Sequence, residues 1–423
     1  MTGTDEAENK IISGGYVNWK RKVVLFLSSQ FISMFGSALV QYAIIWNITL
    51  TTKSGSAMTI AMMFSFLPQI IITPFAGVWA DRYNRKLLIV LSDALVAVST
   101  LILALLYISG YQSIVMIYVV LGIRSFGTGI QSPSVSALIP QIVPKEQLAR
   151  INGIFGSVNA VMSLIAPAVS GIILTVMSIE ATFFIDVFTA IIGISLMLSL
   201  KVRLHERALQ SLVSSHWQDF RAGLIYVRNH RIVISLLVFF GFFMFFVTPA
   251  ALLSPLLVAR TYGSDVWRLT ASEMAFSAGM VIGGLAVAAW PGFRRRYLTI
   301  SLCSVGFGIF TLGLGIASYF WLFLVLVFLM GILLPYFNST TMVILQERVE
   351  EAYQGRVFSF VSIVTGSAMP LGMLFFGPIS DMVSIEWLMV YTGIALILTG
   401  IAAYFSKGIR LSHEPEAGRY HYS

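Results

Sequence analysis

Long apolar runs decide what this chain can fold into. A helix needs roughly 20 apolar residues to cross a hydrocarbon core about 30 Å thick. Twelve runs qualify, at approximately 24–48, 56–80, 87–108, 113–138, 151–178, 181–200, 232–258, 270–290, 297–317, 320–345, 356–380 and 385–405. Only 11% of the residues are charged, where a soluble domain carries about a quarter. The expected fold class is therefore all-α and membrane-integral. Five segments follow: a tail over 1–23, six helices over 24–200, a polar linker over 201–231, six helices over 232–405 and a tail over 406–423. The first twenty residues are polar and lead into no short apolar core with a small-residue cleavage site. They read as a cytoplasmic tail rather than a signal peptide.

The cations orient the spans. With both termini inside, the 27 Lys and Arg residues all fall in inner segments except Lys53, Arg260 and Arg268 outside and Arg124 within a span. That asymmetry is the positive-inside pattern. A net charge of +8 would suit a nucleic-acid partner, but cations spread over loops build no binding face. Cys303 is the only cysteine, which excludes an intrachain disulfide. The five histidines, His205, His216, His230, His413 and His421, lie in the linker or tail without ligand spacing, so no metal site is expected. No Gly-rich loop ending in Lys-Ser or Lys-Thr is present to bind ATP, and no cofactor is expected. In the linker, Trp217, Phe220, Leu224 and Val227 recur at helical spacing. They suggest an amphipathic helix lying along the membrane surface, as a strap between the two sets of six.

Between spans two and three stands Gly77-x-x-x-Asp81-Arg82-x-x-Arg85-Lys86, a turn too short for anything but antiparallel neighbours. Gly77 would let helices approach closely, and Arg82, Arg85 and Lys86 would sit among lipid phosphates. The pattern resembles the signature loop of major facilitator superfamily transporters. Two landmarks indicate an internal repeat. Gly129-x-x-x-Pro133 recurs 202 residues later as Gly331-x-x-x-Pro335, and Ala166-Pro167 is answered 203 residues later by Met369-Pro370. These spacings imply two parallel six-helix repeats, the arrangement of that superfamily, with a substrate path where the halves meet. The turn at Arg294, Arg295 and Arg296 keeps the cations but lacks the acid.

Ionisable groups inside spans are costly and therefore informative. Arg124 lies in span four, Asp93 about two turns into span three and Asp186 about two turns into span six. An arginine stays protonated, so it holds or tunes a carboxylate, or serves as a structural counter-ion. Asp93 is close enough in depth to Arg124 to pair with it, which leaves Asp186 as the freer proton carrier. The alternative for Asp186 is a helix-end hydrogen bond. Asp381 and Glu386 flank the last outer turn and read as solvated. Span five carries Pro167, Ser170 and Gly171, similar to the antiporter motif of the superfamily's drug exporters, with Ala166 and Ser170 replacing two glycines. Gln30, Phe35, Gln41, Asn159, Tyr336 and Asn338, among methionines and aromatics, would line a cavity for bulky, amphipathic, largely apolar cargo.

Further stretches narrow the resemblance. They include Asn18-Trp19-Lys20-Arg21-Lys22, Gly55-Ser56-Ala57-Met58, Arg124-Ser125-Phe126-Gly127-Thr128 and Gly355-Arg356-Val357-Phe358-Ser359. Together they look like the Mef-type macrolide-efflux proteins of bacteria, a branch of drug:proton antiporters. The resemblance implies a non-enzymatic exporter in the bacterial cytoplasmic membrane, monomeric and in contact with lipid, that exchanges protons for macrolide-like compounds. It also implies that Asp81 engages the start of span eleven near Gly355 and Arg356 when the inner gate closes. The alternative cargo is a siderophore or lysophospholipid. A different reading is a non-transporting receptor or assembly protein on the same fold.

Overall fold

The computed structural model describes residues 18–202, 224–406 and 409. Among them are twelve helices long and apolar enough to cross a membrane. In chain order these are α1 (Trp19–Thr52), α2 (Gly55–Arg82), α3 (Arg85–Ile108), α4 (Ile114–Ile142), α5 (Leu148–Val176) and α6 (Ile179–Ser199), followed by α7 (Arg231–Leu252), α8 (Val266–Ala289), α9 (Arg296–Ile316), α10 (Phe320–Arg348), α11 (Glu351–Met382) and α12 (Ile385–Phe405). A short helical turn, Ser254–Leu257, and a wider one, Val258–Tyr262, extend α7. The helices start and stop within a few residues of the apolar runs, except that α1 and α11 extend further through polar ends. At 34 residues, α1 is about 51 Å long, well beyond the hydrocarbon thickness. Trp217 and Phe220 of the expected surface helix lie outside the described residues. Residues 224–229 are helical.

The chain divides into two compact units, one of Met1–Thr51 with Ile60–Ser211 and one of Thr52–Thr59 with Leu212–Ser423. The opening turn of α2 thus groups with the second unit, although the rest of that helix belongs to the first. In the first unit, Val23 and Phe26 of α1, Ile89 of α3, Leu138 and Ile142 of α4, Ile151 of α5 and Met197 of α6 form one core at the end bearing the basic 82–86 turn. In the second unit, α9 lies along α12, α8 along α10, and α7 against α11 and α12.

Lipid tails are as apolar as leucine, so close backbone contact rather than hydrophobic exclusion holds such helices together. The repeated glycine shows this in both units. A Cβ added to Gly129 of α4 would lie 3.1 Å from the Cα of Gln69 in α2. One added to Gly331 of α10 would lie 3.1 Å from the Cα of Gly279 in α8. The fourth helix of each set therefore meets the second helix at the same landmark, and the arrangement is that of two six-helix repeats. Gly77 has no such role: a Cβ there meets nothing within 4 Å. The expectation of close helix approach at Gly77 is corrected accordingly.

Candidate functional site

A cavity of about 360 Å³ lies within the first unit, walled by Ser33, Ser37 and Gln41 of α1, Ser65 and Gln69 of α2, Asp93 of α3, and Arg124, Thr128 and Gln131 of α4. Its chemistry follows from helix register. Asp93 and Thr100 are seven residues apart on α3, two turns on one face, and Arg124 and Gln131 are seven apart on α4. Because α3 and α4 are antiparallel, Arg124 comes level with Thr100, and Gln131 with Asp93. Gln131 Nε2 accordingly donates to Asp93 Oδ1 at 2.6 Å.

Arg124 is taken up elsewhere. Its Nη1 donates to Asp186 Oδ2 at 2.5 Å and to Thr100 Oγ1 at 2.6 Å, and Nη2 donates to the Ser37 carbonyl at 3.0 Å. Ser37 Oγ donates to Asp186 Oδ1 at 3.3 Å. The Arg124 and Asp186 side chains are 6% and 1% exposed, so both charges are buried and each is answered. This reverses the expected pairing. Asp186, not Asp93, is the partner of Arg124, because Asp93 lies about 10 Å further along the helix axis. Asp93 is itself buried, and its Oδ2 has no hydrogen-bond partner among the described residues.

The small residues of α5 tie it to α1. Ser170 Oγ donates to the Leu39 carbonyl at 3.2 Å, and Pro167, Ser170 and Gly171 are all buried. Of the residues expected to line a cavity, Gln41 faces the one in the first unit and Asn338 faces another in the second. Gln30, Phe35, Asn159 and Tyr336 line neither. Gln30 is 1% exposed with Nε2 unpartnered, and Asn159 Nδ2 donates to the Phe155 carbonyl of its own helix. Tyr336 packs its ring 5.9 Å from that of Trp290.

The signature turn is built differently from a lipid-facing cluster. Arg85 Nε donates to the Ala80 carbonyl and Nη1 to the Ala137 carbonyl of α4, both at 2.7 Å, while Nη2 lies 3.4 Å from Asp81 Oδ1. Lys86 Nζ donates to the carbonyls of Leu198 and Leu200 at 2.6 and 2.8 Å, capping the end of α6. Cations are favoured at the orphan carbonyls of a helix C-terminus. Arg85 and Lys86 are thus committed to protein, which corrects the phosphate expectation for these two; Arg82 is exposed. In the second unit, Arg356 stacks over Tyr353 at 5.4 Å.

Asp381 is exposed, as expected, but its carboxylate is fully engaged. It accepts from Ser54 Oγ at 2.8 Å and from the backbone N–H groups of Gly55 and Ser56 at 2.7 and 2.8 Å, and it pairs with Arg260 at 2.7 Å. A carboxylate from α11 thus caps the first turn of α2, where the orphan N–H groups favour an anion. Glu386 accepts from Thr261 Oγ1 at 2.8 Å.

The cavity of the second unit, about 370 Å³, is lined by Phe243, Met244 and Val247 of α7, Ser272, Glu273 and Phe276 of α8, Phe307 of α9, Met330 and Asn338 of α10 and Met369 of α11. The sequence analysis did not single out Glu273. Its signal was available, as an acid inside an apolar run. Among the described residues no group of three His, Cys, Asp or Glu side chains converges to hold a metal.

Comparison with known proteins fits this architecture. The Major Facilitator Superfamily profile matches residues 26–294 and 267–419. The chain belongs to the Major Facilitator Superfamily. It is a transporter rather than an enzyme, and a multi-pass membrane protein of bacterial type. Macrolide efflux protein A of Streptococcus pyogenes is 29% identical over 399 residues, covering 93% of this chain and 98% of that protein. The staphyloferrin A transporter of Staphylococcus aureus is 23% identical over 396 residues, covering 90% and 95%. Among solved structures, a bacterial homologue of the human lysosomal transporter Spinster superposes with a TM-score of 0.66 at 15% identity, covering 94% of this chain and 99% of the other. At that identity the likeness is one of fold.

Proposed function

We propose that this transporter exports bulky amphipathic compounds of the macrolide type from the cytoplasm by proton antiport, with both termini cytoplasmic and the chain acting as a monomer. The observation that carries the reading is Asp93, a buried carboxylate on a polar cavity with one oxygen left bare. Asp93 therefore has the chemistry of a group that loads and releases a proton. Asp186 lacks it, because both of its oxygens are engaged, Oδ2 by Arg124 and Thr100 and Oδ1 by Ser37. The carrier role proposed here thus falls to Asp93, and Arg124 with Asp186 forms the fixed pair that holds α1, α3, α4 and α6 in register.

The energetic requirement is modest. One charge crossing 100 mV supplies about 2.3 kcal/mol, enough to concentrate a neutral solute roughly 50-fold. The likeness to macrolide efflux proteins supports the choice of cargo. The staphyloferrin A transporter supports a siderophore as the second reading. In the proposed cycle Asp81 leaves its long contact with Arg85 and engages the start of α11 at Gly355 and Arg356 as the inner gate closes. An anion facing a helix N-terminus and a guanidinium is favourable. Asp81→Asn is expected to reduce efflux several-fold at unchanged membrane abundance, and wild-type efflux by that variant removes the gate assignment.

The test of function is accumulation of labelled erythromycin in cells that make the protein, with and without a protonophore. The expected result is low accumulation that returns to the control level when the gradient collapses. Accumulation equal to control despite verified membrane insertion rejects the macrolide reading, and a siderophore is then assayed in the same format.

A further inference from the structure

The second unit holds a carboxylate that no protein group among the described residues answers. Glu273 is the only ionisable residue in the wall of its cavity. Among the described residues it takes part in no ion pair and has no hydrogen-bond partner. The two serine hydroxyls of the wall are already used. Ser272 Oγ donates back to the Arg268 carbonyl at 2.7 Å, and Ser254 Oγ donates to the Ala250 carbonyl. The one cation on the same helix, Arg268, lies more than a turn away, paired with Asp265 at 3.5 Å and stacked over Trp267.

The surroundings of Glu273 are aromatic and thioether. Phe243, Phe276 and Phe307 line the cavity with Met244, Met330 and Met369. Phe243 and Phe307 meet edge to face at 5.4 Å, and Phe243 stacks on Phe337 at 3.9 Å. A carboxylate in such a wall is expensive without a counter-charge. Ring faces attract cations, and methionine side chains adapt to varied apolar shapes. A calcium ion does not fit, because it asks for six to eight oxygen ligands and the side chains of the wall offer one carboxylate, one amide and two serine hydroxyls already bonded to backbone carbonyls. An anionic ligand would be repelled.

We infer that the cavity of the second unit binds the cationic part of a bulky apolar ligand, with Glu273 as its counter-ion and the phenyl rings as its apolar bed. A protonated tertiary amine on an otherwise apolar molecule has that chemistry. The volume of about 370 Å³ is at the small end of ligand pockets, so it receives the charged portion and leaves the rest of a large molecule outside. As a statement about cargo, the inference rests on the export reading; as a statement about binding, it stands without it.

The experiment uses the purified full-length protein in detergent and two probes. Tetraphenylphosphonium is permanently cationic, so its binding reports charge without protonation of the ligand. Triphenylphosphine oxide is similar in its aromatic surface and neutral. The expected result is that Glu273→Gln weakens tetraphenylphosphonium at least tenfold and leaves triphenylphosphine oxide within twofold, at a Tm no lower than wild type. Glu273→Asp keeps the charge, retains part of the cation affinity, and serves if the Gln variant aggregates. Three outcomes overturn the inference: no tetraphenylphosphonium binding by the wild type, wild-type affinity in Glu273→Gln, or an equal loss of both probes. Because binding needs no gradient, absent efflux with intact cation binding would reject the export reading alone. Efflux that persists without Glu273-dependent binding would reject this inference alone.

Discussion

The cavity of the first unit and that of the second differ little in size, about 360 and about 370 Å³, and greatly in how their charges are answered. In the first, serine, threonine and glutamine groups share the wall with Arg124, whose charge Asp186 answers from behind it, and with a half-satisfied acid, Asp93. In the second, a single acid stands among phenylalanine and methionine, and the hydroxyls nearby serve their own helices. The same contact of the fourth helix with the second, built on Gly129 in one unit and Gly331 in the other, thus carries two different chemistries. Repetition fixes the backbone, and a few polar substitutions decide what each copy can hold. On the proposed reading the first cavity handles a proton, and the second takes a ligand that brings its own charge.

The largest expected effect breaks the completed pair. Arg124→Ala leaves Asp186 buried without a counter-charge and is predicted to cost about 3–5 kcal/mol, seen as a large fall in Tm of the purified protein. Replacing both partners, Arg124→Met with Asp186→Leu, is predicted to recover most of that loss. Single variants as stable as wild type would mean that the pair does not hold the unit together. Glu273→Gln moves the other way. Removing an unanswered charge leaves Tm at or above the wild-type value, and a fall like that of Arg124→Ala would show that Glu273 has a hidden protein partner. The smallest effect is at the first turn of α2. Asp381→Ala removes the cap on Ser54, Gly55 and Ser56 and the pair with Arg260. Its cost is about 1 kcal/mol, reduced by the partial exposure of that pair, and differential scanning resolves it against the other two variants.

Much of this was readable before the structure. Apolar runs located all twelve helices because a bilayer leaves the backbone few alternatives. The offset between Gly129 and Gly331 announced the repeat. Register was the harder part. Counting from the α3–α4 turn near Tyr111, Arg124 falls level with Thr100 and not with Asp93, so the wrong pairing came from judging depth by whole turns. Arg85 and Lys86 read as lipid contacts because a sequence does not reveal that the ends of α4 and α6 offer carbonyls beside them. Asp381 read as merely solvated for a similar reason. Its partners at residues 54–56 are more than three hundred positions away, and only folding brings them together. Glu273 was visible as an acid in an apolar run, but the absence of a partner is a property of its neighbours.

The central claim is that Asp93 carries the exchanged proton. The direct measurement is proton movement in proteoliposomes with an entrapped pH dye, driven by an imposed erythromycin gradient, for wild type and Asp93→Asn. Asparagine keeps the shape and the hydrogen bond to Gln131 but takes up no proton. The prediction is a proton flux opposite to the erythromycin gradient in wild type, reduced at least tenfold in Asp93→Asn at equal reconstitution. An Asp93→Asn flux equal to wild type would contradict the account.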